Sequence, residues 1–356
     1  QMSVYKDFNI QDPDSPLSSD IVTNVKDTVS SGMWADGAGT LTSFFSSSAS
    51  EVSYGSYYID AWDKNPTTDT TATQQFSVAF GHVEGSGSAG APGVDGNRES
   101  ATVYRQLSNV LLGPNESRFT FADSGGAHTT PPYIYSISIT RQQLREKMDP
   151  GNWELHLSGS GGGSGPEILK LIDDSGATTN PTVNQGGRVF NIVSGSISSG
   201  QATIKTPATA QDGGGFGLFY PDTGMLIFNG PVLAGQTSAS LSASVASNSE
   251  GGNNRKFFSK IEGGQYFQAR REEVITSQHY FCRVPNKEFN FSSNPTFTSG
   301  SNGKFTVPTF YKNPKTFITQ VGLYNDDNEL LAIAKLSKPL MKSYSREAII
   351  KVKLDF

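Results

Sequence analysis

The stretch Gln75-Phe76-Ser77-Val78-Ala79-Phe80 decides the fold class of this 356-residue chain. Its two phenylalanines and its valine alternate with small or polar residues, and a period of two is typical of a β-strand that buries one face. Similar alternation recurs in residues 134–140 and in Thr316–Tyr324. Because these three stretches lie far apart in the chain, the sequence predicts strands along most of its length.

The composition agrees with a β-rich chain that contains many turns. Aromatic residues make up 11% of the chain and charged residues 17%, and there are 38 glycines. A helical bundle would contain more charged and helix-forming residues, and a disordered chain would contain fewer aromatic side chains. The predicted fold is mainly β with a few short helices, in a multi-domain antiparallel β-sheet or β-sandwich architecture with long Gly/Ser-rich loops.

Helices are predicted over residues 21–29, 99–112 and 142–148. In the first two stretches, apolar residues recur every three or four positions, which would place them on one helix face. The residues predicted to form these faces are Ile21, Val25 and Val29 in the first stretch and Val103, Leu107 and Val110 in the second. The third helix is short and charged, and the turn-forming residues 149–151 would end it.

Turn signals punctuate the chain at two places. Residues 158–166 are almost entirely Gly and Ser, which is typical of an interdomain linker or of a hairpin tip. The hairpin is favoured, because strands are expected on both sides, at 153–157 and 167–172. Pro221-Asp222-Thr223-Gly224 predicts a second, tighter hairpin turn, since proline fixes φ and glycine tolerates a positive φ.

Three domains are expected from the chain length and these breaks. They are an N-terminal β-rich domain with short helices (1–175), a middle β-hairpin-rich domain (176–255) and a C-terminal β domain (256–356) that ends in a three-strand meander. The meander would consist of Thr316–Tyr324, 329–336 and 346–356. Its last residue, Phe356, is expected to be packed in register with the closing strand.

Both faces of the first meander strand carry large apolar side chains. Strict alternation assigns Phe317, Thr319, Val321 and Leu323 to one face and Ile318, Gln320, Gly322 and Tyr324 to the other. Because neither set is polar, we expect neither face to be fully solvated. One face should meet the core of its own domain, and the other should meet another domain or subunit.

Charge, hydropathy and cysteine content disfavour several function classes. The net charge is −5 and no basic run occurs, which disfavours binding to nucleic acid. No segment approaches the ~18 apolar residues of a membrane span, and the start of the chain lacks the apolar region of a secretory signal. The single cysteine, Cys282, is expected to be a small buried apolar residue. We therefore expect assembly in a reducing cytoplasm.

Motifs for phosphate, metal or nucleophile chemistry are weak. Residues 85–90 match G-x-G-x-x-G, but residues 91–93 contain Pro and Gly where a helix would have to begin, which indicates a flexible loop. The acidic turn at 325–329 lacks the features of a calcium loop, and no G-x-S-x-G motif marks a nucleophile. No metal-binding pair occurs among the four histidines, which are His82, His128, His156 and His279. His156 is expected at a surface or interface.

Glycoside hydrolysis would require two carboxylates beside an aromatic cleft. The candidate carboxylates are Asp60, Asp63, Asp173 and Asp174, and the candidate sugar-stacking residues are Trp34, Trp62 and Trp153. For the tryptophans, packing in a core or an interface is favoured. The sequence therefore predicts no catalytic, cofactor-binding or metal-binding residues, and a protein that is not an enzyme.

The C-terminal stretch resembles a pattern found in structural proteins of tailed bacteriophages. Residues 314–339 contain T-x-V-G-L-Y, a turn and L-x-A-x-A-K, and residues 350–356 form a closing strand of alternating basic and apolar residues. Residues 76–82, 149–155 and 220–224 are similar to virion structural proteins of T4-like myophages, cyanophages especially. These matches are scattered over most of the chain, and the C-terminal pattern is the most specific.

The resemblance implies a structural subunit of a bacteriophage virion, and a baseplate wedge component of a contractile tail is the closest analogy. Such a subunit would contact other tail and baseplate proteins, in multiple copies of a symmetric assembly, without catalysis, cofactors, nucleic acid or membrane. It would be assembled in the host cytoplasm and located in the virion tail. Two alternatives stay open: a tail-fibre or receptor-binding protein that recognises a host surface glycan, and a glycan-degrading enzyme.

Overall fold

Most of the chain is described by the structure, a computed structural model. The described residues are 21–47, 58–88, 99–122, 128–159, 167–177, 181–205, 215–235, 241–243, 252–290, 295–300 and 302–355. Of these residues, 48% lie in strands and 17% in helices. The mainly β, multi-domain antiparallel fold with a few short helices that the sequence predicts is therefore confirmed.

The described residues form four α-helices and 22 strands. The helices are α1 (Glu99–Leu111), α2 (Arg141–Leu144), α3 (Gly230–Gly235) and α4 (Asn253–Gly264). The strands are β1 (Ile21–Gly32), β2 (Thr40–Leu41), β3 (Tyr58–Trp62), β4 (Gln74–His82), β5 (Phe121–Ala122), β6 (His128–Thr129), β7 (Tyr133–Ile139), β8 (Lys147–Met148), β9 (Glu154–Ser158), β10 (Ile168–Asp173), β11 (Thr182–Asn184), β12 (Gly187–Ser198), β13 (Gln201–Ile204), β14 (Gly217–Tyr220), β15 (Met225–Asn229), β16 (Phe267–Gln268), β17 (Arg270–Val284), β18 (Thr298–Ser299), β19 (Lys304–Phe305), β20 (Thr316–Tyr324), β21 (Leu330–Lys342) and β22 (Ala348–Asp355).

The chain divides into two compact units. The central unit comprises residues 29–273, and the terminal unit comprises residues 1–28 and 274–356. One division falls within β1 and the other within β17. The divisions predicted from the sequence at 175/176 and 255/256 both fall inside the central unit.

A single antiparallel sheet organises the central unit. Its strand order is β2-β16-β9-β10-β12-β14-β15-β7-β4-β3, and β11 and β13 also pair with β12. The predicted division at 175/176 separates β10 from β12, and the one at 255/256 separates β9 from β16, yet both couples are hydrogen-bonded neighbours. The strands on either side of each predicted division therefore share one sheet and one core.

Apolar side chains cover both faces of this sheet. Along β15, Leu226 and Phe228 join the larger core, which also contains Phe257 of α4. Ile227, which lies between them and points the other way, joins a second core that contains Tyr104 of α1. Successive strand residues point to opposite faces, so α4 and α1 lie on opposite sides of the sheet.

Both hairpins predicted in this unit are confirmed. β9 and β10 pair antiparallel, with Leu157 opposite Leu169. Residues 160–166 of the predicted tip between them lie outside the described residues. β14 and β15 also pair, and the turn between them has Gly224 at a φ of +67°. A residue with a side chain would be strained at that angle, which explains the glycine.

Helix α1 is confirmed, but its predicted buried face is only partly right. Val103 is buried, whereas Val110 is half exposed. Tyr104 determines the orientation, because its Cα lies 3.1 Å from where a Cβ on Gly81 of β4 would stand, and its hydroxyl accepts a 3.1 Å hydrogen bond from the N–H of Phe119. The residues that α1 buries are Ser100, Ala101, Val103, Tyr104, Ser108 and Leu111.

Two of the predicted helices are wrong in type or extent. Residues 21–29 form part of β1, which pairs with β17. Apolar spacing of four residues fits a helix, but the stretch is rich in β-branched residues that favour strands, and the available partner strand decides the outcome. In the predicted helix 142–148, α2 ends at Leu144, and Lys147–Met148 instead form β8, which pairs with the start of β17.

Two strand pairs enclose the core of the terminal unit. β17 pairs with β22, and β20 pairs with β21 through the predicted turn. Leu323 of β20 packs with Ile350 and Val352 of β22 in one core. The predicted three-strand meander is therefore wrong, since β22 does not extend the β20–β21 sheet. β22 instead lies in a second layer, where its alternating apolar side chains are buried against β20. At the edge of the β20–β21 sheet these side chains would be uncovered. Phe356 lies outside the described residues.

A β-bulge shifts the faces of β20. The register changes just after Ile318, where residues 336–339 of β21 interrupt the pairing. Pro339 suits this irregular position because it has no N–H to donate to a ladder. Ile318 therefore lies on the same side as Val321 and Leu323, in contact with the core. The strict alternation predicted for this strand is wrong at the bulge.

Candidate functional site

The side of the β20–β21 pair that points away from the terminal unit's core carries a group of exposed apolar side chains. We call this surface the outer face. Its large apolar side chains and their exposed fractions are Phe317 (60%), Tyr324 (43%), Leu330 (52%), Leu331 (68%) and Ile333 (53%). A single exposed apolar residue is ordinary in a folded protein, whereas several on neighbouring strands indicate a contact surface.

A glycine allows two of these side chains to lie flat on the strand. A Cβ on Gly322 would stand 2.9 Å from the ring of Tyr324 and 3.4 Å from a methyl group of Leu330. Gly322 is also the cross-strand partner of Ile333. Any larger residue at 322 would crowd the ring of Tyr324, so the glycine leaves room for this ring beside Leu330.

Charged side chains of opposite sign flank the apolar part of the outer face. The exposed acidic residues, in the turn between the strands, are Asp326, Asp327 and Glu329, and the exposed basic residues, further along β21, are Lys335 and Lys338. Asn325 stabilises the turn, because its side-chain oxygen accepts a 2.7 Å hydrogen bond from the N–H of Glu329 and its amide donates to the Glu329 carboxylate at 2.8 Å. The outer face therefore runs from an acidic end through an apolar part to a basic segment.

A buried ammonium group fixes the far end of β21. Lys342 is fully buried, and its Nζ donates to the carbonyl oxygens of Asn286 and Glu288 and, at 2.7 Å, to the side-chain oxygen of Asn290. These bonds join the segment after β17 to the end of β21. The outer face is thus presented by a strand whose other end is held by three charge-assisted hydrogen bonds.

The tryptophans considered for sugar stacking are packed inside the central unit. Trp34 and Trp153 are buried in the larger core, and the indole N–H of Trp34 donates to the carbonyl of Phe267 at 2.8 Å. Trp62 is half-buried at the end of β3. The expected core packing is confirmed for Trp34 and Trp153, and neither offers an open ring face to a glycan.

The four histidines lie on four different strands. His82 is buried in β4, where its Nδ1 accepts a 3.0 Å hydrogen bond from the N–H of Glu84 and burial lowers the pKa of the ring. His128 is exposed, and His279 is half-buried in β17. His156, expected at a surface or interface, is instead largely covered, and its ring stacks on Tyr266 with centroids 4.3 Å apart.

His156 also belongs to a hydrogen-bonded pair with Glu154 that no sequence motif indicated. Its Nε2 lies 2.6 Å from the carboxylate of Glu154, and the other carboxylate oxygen accepts a 2.6 Å hydrogen bond from the N–H of Ile197. Burial raises the pKa of Glu154, but these two hydrogen bonds and the electrostatic effects of His156 and Lys170 together outweigh burial and leave the pKa below its ordinary value. The available signal was the i, i+2 spacing on β9, which places both side chains on one face.

The four carboxylates considered for hydrolysis accept hydrogen bonds from neighbouring loops and strands. In each contact the carboxylate is the acceptor. Asp60 accepts from the Ser77 hydroxyl (2.6 Å), Asp63 from the Thr73 N–H (2.6 Å), Asp173 from the Gly151 N–H (2.8 Å) and Asp174 from the Asn191 N–H (2.9 Å). Asp173 is buried, and burial raises its pKa against the opposing hydrogen bonds. Each of these contacts ties together parts of the fold.

Two other sequence candidates also have local structural roles. In the Gly-rich loop, the described residues 85–88 form a turn in which the Ser88 hydroxyl donates to the carbonyl of Gly85 at 3.0 Å. Residues 89 and 90, which complete the motif, lie outside the described residues. Cys282, expected to be buried, is only half-buried on β17, where it packs against the core of the terminal unit.

Comparisons with protein-family models, curated proteins and solved structures find no match for this chain. Among the described residues, no helix has the length and apolarity to cross a membrane. In the same part of the chain, no three His, Cys, Asp or Glu side chains are grouped as metal ligands. The outer face is the feature that points most directly to a function.

Proposed function

We propose that this chain is a non-catalytic structural subunit of a bacteriophage virion, a baseplate wedge component of a contractile tail. In this proposal the outer face binds a neighbouring tail protein. The observation that carries the proposal is the exposed apolar surface on β20 and β21. The phage-like pattern at residues 314–339 supports it, because the pattern covers the strands that build this surface.

The outer face defines the chemistry of its partner. The partner should present an apolar centre that covers Leu331 and Ile333, since fully burying a side chain of this size contributes roughly 1.5–3 kcal/mol. It should place basic groups opposite the acidic turn and acidic groups opposite Lys335 and Lys338. Such charge pairing sets the register of an interface more than its affinity.

A structural role agrees with the chemistry of the polar groups described above. The carboxylates considered for hydrolysis and the pair of Glu154 and His156 form hydrogen bonds that tie strands and turns together. The proposal therefore assigns them to stability. In a symmetric tail assembly, the outer face of every copy would be covered by the same surface of the neighbouring tail protein.

The proposal is tested by locating the chain on infectious particles. Antibodies raised against the purified chain would be bound to particles and imaged by negative-stain electron microscopy. We expect label at the end of the tail, below the contractile sheath. Label on distal fibres would favour the receptor-binding alternative, and particles that carry no label would contradict a virion role. Proteins of mock-treated host cells, blotted with the same antibodies, provide the control for specificity.

A further inference from the structure

The outer face has a strict order of charge from one end to the other. The strand β20 carries no charged residue. All the acidic residues between β20 and the end of β21 lie in the turn, and both exposed lysines lie beyond the apolar part of β21. The acidic residues are Asp326, Asp327 and Glu329, and the exposed lysines are Lys335 and Lys338. The outer face therefore has a negative end, an apolar centre and a positive end, all within the terminal unit.

These groups are spaced evenly about Ala332, whose side chain packs on the core side of β21. Glu329 precedes Ala332 by three positions and Lys335 follows it by three, so each lies roughly 10 Å away along the strand. Leu331 and Ile333 flank the same position, and both are more than half exposed. A twofold axis perpendicular to the sheet at position 332 would bring Glu329 of one copy opposite Lys335 of another. The same axis would bring Leu331 opposite Ile333.

The centre of the outer face is low on β20. The cross-strand partner of Ile333 is Gly322, which has no side chain to project from the sheet. The ring of Tyr324 lies in the space that a Cβ at 322 would need, 2.9 Å from where that Cβ would stand. Two sheets that pack face to face lie ~10 Å apart with their strands within ~30° of each other. A second two-stranded sheet can therefore stack on this centre.

The charge order selects the partner. A protein that covers the outer face has to present basic groups opposite the acidic turn, acidic groups opposite the lysines and an apolar centre between them. The outer face of another copy, turned by 180°, presents its groups in this order. We infer that the outer face binds the outer face of a second copy of this chain, in an antiparallel twofold contact. The inference rests on the proposed function, which makes the outer face an interface, and adds the identity of the partner.

The size of the outer face predicts a weak dimer. β21 has 13 residues, which span ~43 Å, and two paired strands are ~10 Å wide. The area is therefore on the order of 400 Å², below the ~800 Å² that each partner buries in a standard interface. We expect a reversible dimer with a Kd of about 10–100 μM, which other contacts in a particle would reinforce.

Two charge-reversal variants test the antiparallel arrangement. Lys335→Glu with Lys338→Glu makes both ends acidic. Asp326→Lys with Asp327→Lys makes both ends basic and leaves the hydrogen bonds of Glu329 in place. Each variant alone should dimerise at least about tenfold more weakly than wild type, because like charges then face each other. An equimolar mixture of the two should associate within about fivefold of the wild-type affinity, because opposite charges then meet at both ends. Sedimentation velocity of the full chains over a concentration series measures all of these affinities.

Two further variants complete the test. Lys287→Glu with Lys351→Glu changes the net charge by the same amount as the lysine reversal on the outer face, at exposed positions outside β20 and β21. This control should dimerise like wild type. Ile333→Glu places two like charges beside the axis and should abolish dimerisation even if a charge-reversal variant fails to fold. The urea unfolding curve of each variant is compared with that of wild type.

The inference is overturned if wild type sediments as a monomer up to about ten times the expected Kd. It is also overturned if the charge-reversal variants or Ile333→Glu dimerise like wild type, or if the mixture of folded charge-reversal variants does not associate. These outcomes would leave the proposed function standing, because a different tail protein could cover the outer face and antibodies would still label the end of the tail. Dimerisation in the predicted pattern without label on particles would contradict the proposed function alone.

Discussion

The sheet of the central unit and the β20–β21 pair of the terminal unit arise from similar alternating sequences but have different surroundings. In β15 four of five residues are buried, because cores lie on both sides of the strand. In β20 only Leu323 is fully buried, because a second layer covers one side alone. Alternation therefore predicts a strand, while the number of covering layers decides whether an apolar residue on it is a core residue or a contact residue.

The largest expected effect separates the two regions directly. Phe228→Ala should lower the free energy of unfolding by about 3–5 kcal/mol, because the side chain is fully buried and packs against Phe257 with ring centroids 5.2 Å apart. Phe317→Ala, the same substitution on the outer face, should change it by less than about 0.5 kcal/mol. Urea denaturation, with hydrogen exchange in peptides from β15 and β20 as the readout, measures the change in the free energy of unfolding for both variants. Equal losses in the two variants would break the comparison.

The second prediction concerns the terminal unit, where a buried charge fixes β21. Lys342→Met should cost about 2–3 kcal/mol, because the half-buried oxygens of Glu288 and Asn290 lose their charged donor and the Asn286 carbonyl keeps only its bond from the Asn290 amide. Lys338→Met, an exposed position on the same strand, should cost less than about 0.5 kcal/mol. Urea denaturation of both variants gives the difference. If Lys342→Met were as stable as Lys338→Met, the segment after β17 would not depend on this contact.

The third and smallest effect on stability concerns a charge on a covered face of the central sheet. The pKa of Glu154 is lowered in the folded state, so its ionised form stabilises the fold above pH ~4.5, and that contribution is lost as pH falls through the folded pKa. Glu154→Gln should therefore cost about 1.5–3 kcal/mol at pH 7, and the difference from wild type should shrink between pH 5 and pH 3.

Lys335→Gln is the control for this pH series, because Lys335 is exposed on the outer face. It should differ from wild type by less than about 0.5 kcal/mol at every pH in the series. Urea midpoints across the series provide the measurement. A Glu154→Gln penalty that stays constant from pH 7 to pH 3 would show that the ionised carboxylate is not the stabilising form.

Strict alternation made parts of the fold predictable from the sequence. β4 and the hairpins at 221–224 and 158–166 were predicted because short-range pattern and turn chemistry determine them. β1 was mistaken for a helix, because apolar residues four positions apart can share one face of a helix or one face of a strand. Only the pairing of β1 with β17 decides between the two structures. The pairing of β22 with β17 joins residues about 70 positions apart in the chain, which no local pattern reveals.

The candidate site was only partly predictable for the same reason. The sequence showed that both sides of β20 carry apolar groups, and it predicted that one side would meet a partner. It assigned Val321 and Phe317 to the same side, because the bulge after Ile318 has no signal beyond Pro339 on the opposite strand. The pair of Glu154 and His156 depends on tertiary packing and was not predicted.

The central claim, that the outer face is an interface in an assembled particle, is tested most directly by incorporation. Ile333→Glu places a charge in the middle of the outer face, and Ile349→Glu makes the same change at a similarly exposed position on β22. Each variant would carry a peptide tag and compete with untagged wild type during infection, after its unfolding curve has been matched to wild type. The account predicts that particles exclude Ile333→Glu by at least about tenfold, equal to ~1.4 kcal/mol, and incorporate Ile349→Glu like wild type. Equal incorporation of the two variants would contradict it.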